Sequence, residues 1–295
     1  MNARERGFLL LTSHLGDPER KPLTVPQLRV LAERMQTMEI SAEDRDLSAT
    51  DLMDIGYSRE MSQRIIALLS QEEELDYYLN RGKKAGCFPV TRVNPKYPLL
   101  LRQRLGLDSP GCLWIKGDIS ILDAPAISLV GSRDLLPRNA AFAESVGRHS
   151  ANQGLTLVSG NARGADRTAQ GAALTAGGTV ISIVADELSK QVIRERILYV
   201  SEEDFDAPFS AQRALRRNRC IHALGRMVFV AQSDYGKGGT WDGTVKNLCY
   251  NWSPVACFRD GSEASRQMEQ MGAFLVTESD LTDLSGLLST ELRLF

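Results

Sequence analysis

Four clusters of glycine, hydroxyl and cationic residues carry the chemistry of anion binding. In Val130-Gly131-Ser132-Arg133 a glycine lets the backbone turn sharply, and a hydroxyl, free amides and a guanidinium stand beside it. The run Val158-Ser159-Gly160-Asn161-Ala162-Arg163-Gly164-Ala165-Asp166 repeats the theme, with two glycines that permit close approach of a ligand and Asp166 in a first helical turn. A plainer reading makes Ser159 and Asp166 helix caps and Arg163 a surface residue. Between Ala211 and Arg226 lie five arginines and no acid: Arg213, Arg216, Arg217, Arg219 and Arg226. On a helix Arg213, Arg216 and Arg217 share a face. Phosphate contact by Arg217, Asn218 and Arg219 competes there with intramolecular pairing of Arg217 or Arg219 to Glu202. The last cluster, Tyr235-Gly-Lys237-Gly238-Gly239-Thr240-Trp241, offers several free amides ahead of a helix and the charge of Lys237. Lys237 is not a Walker lysine, because the G-x-x-x-x-G-K-[ST] order is missing. Trp241 either stacks on a base or is buried at a helix start.

Catalytic constellations are not visible. The three histidines, His14, His149 and His222, form no cluster, and no nucleophile elbow, zinc signature or carboxylate pair at catalytic spacing occurs. The residues read as a binding site with no metal and no cofactor.

Something must position these clusters. From Ala126 onward short β-branched runs alternate with amphipathic segments, the signal of βαβ units around a parallel sheet. The pattern predicts strands over Ala126–Val130, Thr156–Ser159, Thr179–Val184, Met227–Ala231, Pro254–Phe258 and Phe274–Val276. Helices are predicted over Asn139–Gln153, Gly164–Ala176, Ser210–Leu224, Thr240–Tyr250 and Ser262–Met271. Runs such as Val180-Ile-Ser-Ile-Val184 are apolar on both faces, as a strand covered by helices on each side requires. The expected fold class is α/β, a Rossmann-like, doubly wound, mainly parallel sheet occupying residues 81–295, preceded by a small helical domain over 1–80. In that first domain Val25–Met35 has helical periodicity, and Leu47-Ser-Ala-Thr-Asp51 reads as a cap before Leu52. A SAM-like or helix-hairpin-helix bundle fits, although the glycine pair of a phosphate-gripping hairpin is missing. An open sheet of this kind binds ligands at the carboxyl edge of its strands, where the strand order switches.

Composition limits the rest. Among 295 residues, 35 Lys and Arg face 37 Asp and Glu, a net charge of −2 with neutral histidines, and 43% are hydrophobic. Disordered, collagenous and globally basic proteins are excluded, so a polyanion site must be a local patch. Five cysteines without a C-x-x-C pair suggest a reduced, cytoplasmic setting, and no apolar run approaches the ~20 residues of a membrane span.

Taken in order, these motifs resemble the DNA-processing protein A family (DprA, also called Smf). The resemblance runs from about Val93 to Phe258. It includes Tyr97-Pro98 and Pro110-Gly-Cys-Leu-Trp-Ile-Lys-Gly117, then Val130-Gly-Ser-Arg133, Ser159-Gly160, Ala162-Arg-Gly164, Asp166, Gly177-Gly-Thr179, Ser201-Glu202 and Arg217-Asn-Arg219. It implies a non-enzymatic protein that binds single-stranded DNA, hands it to a RecA-type recombinase in natural transformation, and forms a homodimer. The matching positions of the DNA pocket are Gly131, Ser132, Arg133, Ser159, Gly160, Arg163 and Arg217 to Arg219. Gln170 stands where the family commonly has histidine, the usual Ser-Gly loop reads Gly236-Lys-Gly-Gly-Thr-Trp241, and too few residues follow Thr277 for the family's winged helix. The alternative is a sensor or phosphoribohydrolase acting on a small nucleotide, as in the related LOG proteins, although the glutamate those enzymes carry after the phosphate loop is replaced by Asp242 or lost.

Overall fold

The computed structural model describes residues 1–36 and 46–291. They gather into two compact units: Met1–Ala85 with Thr91–Pro95, and Gly86–Val90 with the chain from Lys96 onward.

The first unit is helical: α1 (Ala3–Thr12), α2 (Val25–Met35), α3 (Ala49–Asp54), α4 (Arg59–Leu69) and α5 (Glu72–Lys84). Local sequence sets the starts. Asn2, Thr24 and Ser48 each accept the amide three residues on, and Glu5, Gln27 and Asp51 return to the amide of the capping residue. Leu23, Leu31, Leu52, Ile65 and Leu68 form the core. α1 lies within the helical domain expected over 1–80, though its own bounds were not singled out, and behind its charged opening it buries Leu9 and Leu10, both 1% exposed.

In the second unit the elements are β1 (Phe88–Thr91), α6 (Leu99–Leu105), β2 (Cys112–Lys116), β3 (Ala126–Val130), α7 (Pro137–Asn152), β4 (Thr156–Ser159), α8 (Ala165–Thr175), β5 (Val180–Ile183) and β6 (Ile197–Ser201). α9 (Ala211–Leu224), β7 (Val228–Val230), α10 (Gly238–Tyr250), β8 (Val255–Phe258), α11 (Glu263–Gln270), β9 (Phe274–Val276) and α12 (Leu284–Glu291) complete it. The nine strands form one sheet in the order β1-β2-β6-β5-β4-β3-β7-β8-β9. From β6 across to β9 neighbours are parallel, with Ser128 opposite Val158 and Val130 opposite Val230, whereas β2 runs antiparallel to β6. β3 to β6 are buried at every residue, as a sheet covered on both faces demands. This is the Rossmann-like doubly wound arrangement.

Six strands were expected; β1, β2 and β6 are additions. β6 escaped notice because the link from β5 holds only a short 3-10 turn at Leu188–Lys190 where a βαβ pattern would have a helix. α7 begins two residues before its expected start because Pro137, with no amide to lose, occupies the first turn. The chain winds outward from β3 through β4, β5 and β6, then returns to the other side of β3 as β7, so the loops leaving β3 and β7 diverge and leave a crevice between them.

Candidate functional site

Two glycine turns floor the crevice, and each is made possible by a missing Cβ. A side chain at Gly131 would come within 2.5 Å of the Ala165 Cβ, and one at Gly164 (φ +84°) would meet the carbonyls of Ser132 and Arg133. The loops after β3 and β4 are thereby seated on one another, joined by the Ala165 amide donating to the Ser132 carbonyl at 3.1 Å. Asp166 closes its own turn: its carboxylate accepts the Ala162 amide at 3.1 Å. Burial raises its pKa, opposed by the nearby Arg217 guanidinium and the backbone amides it accepts.

The cleft above this floor encloses about 410 Å³. Gly131, Ser132 and Arg133 line one side; Lys237, Gly238, Gly239 and Thr240 at the start of α10 line another; Arg217 and Asn218 come from α9. α10 opens two residues earlier than expected, at Gly238, with Lys237 as its cap and no side chain capping it. Its first amides therefore have no partner within the helix.

Arg217 dominates the electrostatics. The residue is 6% exposed, and its Nε and Nη1 are buried without a hydrogen-bond partner among the described residues. Burial lowers its pKa, with Asp166 acting against that. Its guanidinium lies over Gly160, where any Cβ would fall among its terminal atoms. A buried cation in this state costs several kcal/mol unless an anion completes it.

Not every expected residue faces the cleft. Arg219 lies on another side of α9, bonded to the Glu202 carboxylate and the Asp108 carbonyl, so for this arginine the intramolecular alternative holds. Arg216 similarly reaches Glu203 at 3.2 Å. The reason is helical phase: at 100° per residue Arg216 and Arg219 fall toward Glu203 and Glu202 of the loop after β6, whereas Arg217, about 100° further round than Arg216, brings its guanidinium against Gly160. Arg163 is exposed and paired with Asp134 at 2.7 Å, outside the cleft lining. The Ser159 hydroxyl is buried and accepts from Gln170 Nε2 at 2.6 Å, so it is not free for a ligand. Asn218 donates to the Gly239 carbonyl at 3.1 Å, tying α9 to the start of α10. Trp241 packs partly buried against the core, its edge-to-face partner being Tyr235. The sequence reading overlooked the apolar wall of Ala211, Ala214 and Leu215, which on an amphipathic helix are indistinguishable from core residues. Among the described residues no group of three or more His, Cys, Asp or Glu is placed to hold a metal ion, and no helix is long and apolar enough to cross a membrane.

Sheet and site together define a class: a doubly wound α/β domain whose cleft at the strand-order switch is lined by arginine and the leading amides of a helix. The chain belongs to the DNA recombination-mediator protein A family, whose sequence model matches residues 89–284. It is 28% identical over 193 residues to Protein Smf of Escherichia coli K12, covering 59% of this chain and 50% of that protein. It is 31% identical over 183 residues to DNA processing protein DprA of Streptococcus pneumoniae R6, covering 58% and 64%. It thus spans between half and two-thirds of those relatives. The crystal structure of S. pneumoniae DprA superposes with a TM-score of 0.71 at 24% identity, over 96% of this chain and 99% of that one. A Helicobacter pylori DprA structure, described for its single-stranded DNA binding mode, gives 0.56 at 22% identity over 71% and 97%. The likeness in structure shows a shared fold.

Proposed function

We propose that this protein binds single-stranded DNA across the cleft, without transforming it chemically. A phosphodiester sits on Arg217 and the leading amides of α10, with Arg133 and Lys237 adding countercharge at the exposed rim. The observation that carries this reading is Arg217: a buried guanidinium with two unsatisfied nitrogens, opening into a cleft at the strand-order switch. Family membership supports a polymeric ligand, as does the DNA-binding relative from H. pylori. A RecA-type recombinase is the proposed recipient of the strand, a homodimer the proposed assembly, and the reducing cytoplasm, where the five free cysteines stay thiols, the proposed setting.

Fluorescence anisotropy with labelled oligothymidine over a salt series tests this. Arg217→Ala is expected to weaken binding about 100-fold, the value of one or two charge-assisted hydrogen bonds. Arg133→Ala is expected to lower the slope of log affinity against log salt by about one, as loss of a phosphate contact does. Undiminished binding by Arg217→Ala, or release of free base when the parent protein is incubated with nucleoside monophosphates, defeats the proposal.

A further inference from the structure

We propose that Tyr235 is the base-stacking platform of this cleft and gives it preference for unpaired over paired strands; this rests on the single-stranded DNA reading above. Tyr235 is 54% exposed, at the apex of the turn between Asp234 and Lys237. Both of those neighbours line the cleft, so Tyr235 is carried on the turn that borders it. A single exposed aromatic is ordinary on a protein surface. This one is held in place. The Asp234–Lys237 bridge closes its turn through Gly236 at φ +71°, and the ring meets Trp241 edge-to-face at 5.0 Å and 81°. Trp241 is itself anchored on the hydrophobic core. The ring therefore already has a packing partner before any ligand arrives, which reduces the ordering cost of binding.

The rest of the cleft matches such a ligand. Leu215, 49% exposed, lines it from α9 and lies 3.0 Å from where a Cβ on Gly239 would sit, so an apolar surface adjoins the amides that would hold phosphate. Amides and a guanidinium beside an aromatic and an aliphatic surface suit a nucleotide with its base turned out. Every base has a π face, so such stacking tolerates any sequence. In a duplex those faces are already stacked on one another, and the ring has nothing to receive.

The test compares the parent, Tyr235→Ala and Tyr235→Phe on three probes: oligothymidine, an abasic deoxyribose-phosphate strand of equal length, and a duplex. Loss of one stacked base weakens binding by about 5- to 150-fold. Tyr235→Ala is expected to show that loss on oligothymidine and none on the abasic strand, with an unchanged salt slope. Tyr235→Phe is expected to bind like the parent, and Tyr235→Ala to narrow the gap between oligothymidine and duplex. Equal affinity of parent and Tyr235→Ala for oligothymidine, or an equal loss on the abasic strand, overturns the role of Tyr235 while leaving the phosphate site standing. A parent protein that binds no strand overturns both.

Discussion

Gly160→Ala separates the binding role of Arg217 from any structural role. The Cβ of an alanine would fall among the terminal atoms of the Arg217 side chain, so the guanidinium must leave its place. Gly160 is outside the left-handed region, and alanine meets no backbone penalty there. Replacing glycine at such a position gains roughly 0.4–1 kcal/mol through the unfolded chain. Moving the end of the Arg217 side chain loses no hydrogen bond through Nε or Nη1, and a short shift of a flexible guanidinium keeps part of its attraction to Asp166. Net stability is then expected to change by about 1 kcal/mol or less, about 2–4 °C in thermal midpoint for a domain of this size. Binding is another matter. The charge-assisted contacts of Arg217, at about 1.5–3 kcal/mol each and less than additive, are displaced, so a loss up to that of Arg217→Ala, about 2.7 kcal/mol or ~100-fold, is expected. Calorimetry and anisotropy on Gly160→Ala, Arg217→Ala and the double variant read this directly. Substitutions acting through one group do not add. The double variant should therefore bind no worse than Arg217→Ala alone. Undiminished binding by Gly160→Ala, or losses that simply add, would refute the argument that Gly160 exists to seat this arginine.

Arg219→Ala should behave in the opposite way. Glu202 is buried, and removing its partner leaves a carboxylate uncompensated, costing about 3 kcal/mol or more and about 6–12 °C in midpoint, while oligothymidine binding below that midpoint is retained; weak binding at an unchanged midpoint would return Arg219 to the ligand. His222 predicts a pH dependence. Burial lowers its pKa from 6.5 to about 3, and neither ring nitrogen has a hydrogen-bond partner among the described residues. Below pH 6.5 the unfolded chain takes a proton that the folded one refuses until about pH 3, so stability is complete above 6.5 and declines as pH falls through that window. At pH 5 the loss is about 2 kcal/mol. Asp166 and Glu202, raised by burial, act in the opposite sense as their carboxylates titrate, so the comparison is with His222→Gln at each pH. The parent's midpoint should fall about 4–8 °C further than the variant's between pH 7 and 5, and parallel profiles would show that the imidazole does not titrate this way.

What was legible in the sequence follows from what each feature depends on. β3, β4 and β5 are apolar at both faces and end in glycine or polar turns, so local pattern reveals them. β6 has an equally buried run, Ile-Leu-Tyr-Val-Ser, but is preceded by Arg194-Glu-Arg196, with Arg196 at φ +63°, and followed by an acidic loop; no glycine or proline marks its ends. The glycine turns of the site were legible for a chemical reason, since only residues without a Cβ allow the β3 and β4 loops to touch. The division of labour among the arginines was not. Arg216, Arg217 and Arg219 are alike in type and nearly adjacent, and their fates depend on which way α9 is rotated against a loop 13 or more residues upstream that holds Glu202 and Glu203. Those two acids take Arg216 and Arg219, and the intervening residue of the helix sets Arg217 against Gly160, where Asp166 attracts it but among the described residues no acid forms an ion pair with it. Which arginine is left without an ion pair at the cleft is thus decided by subtraction: acids neutralise its neighbours and not Arg217, a property of the packed helix and not of the arginine run.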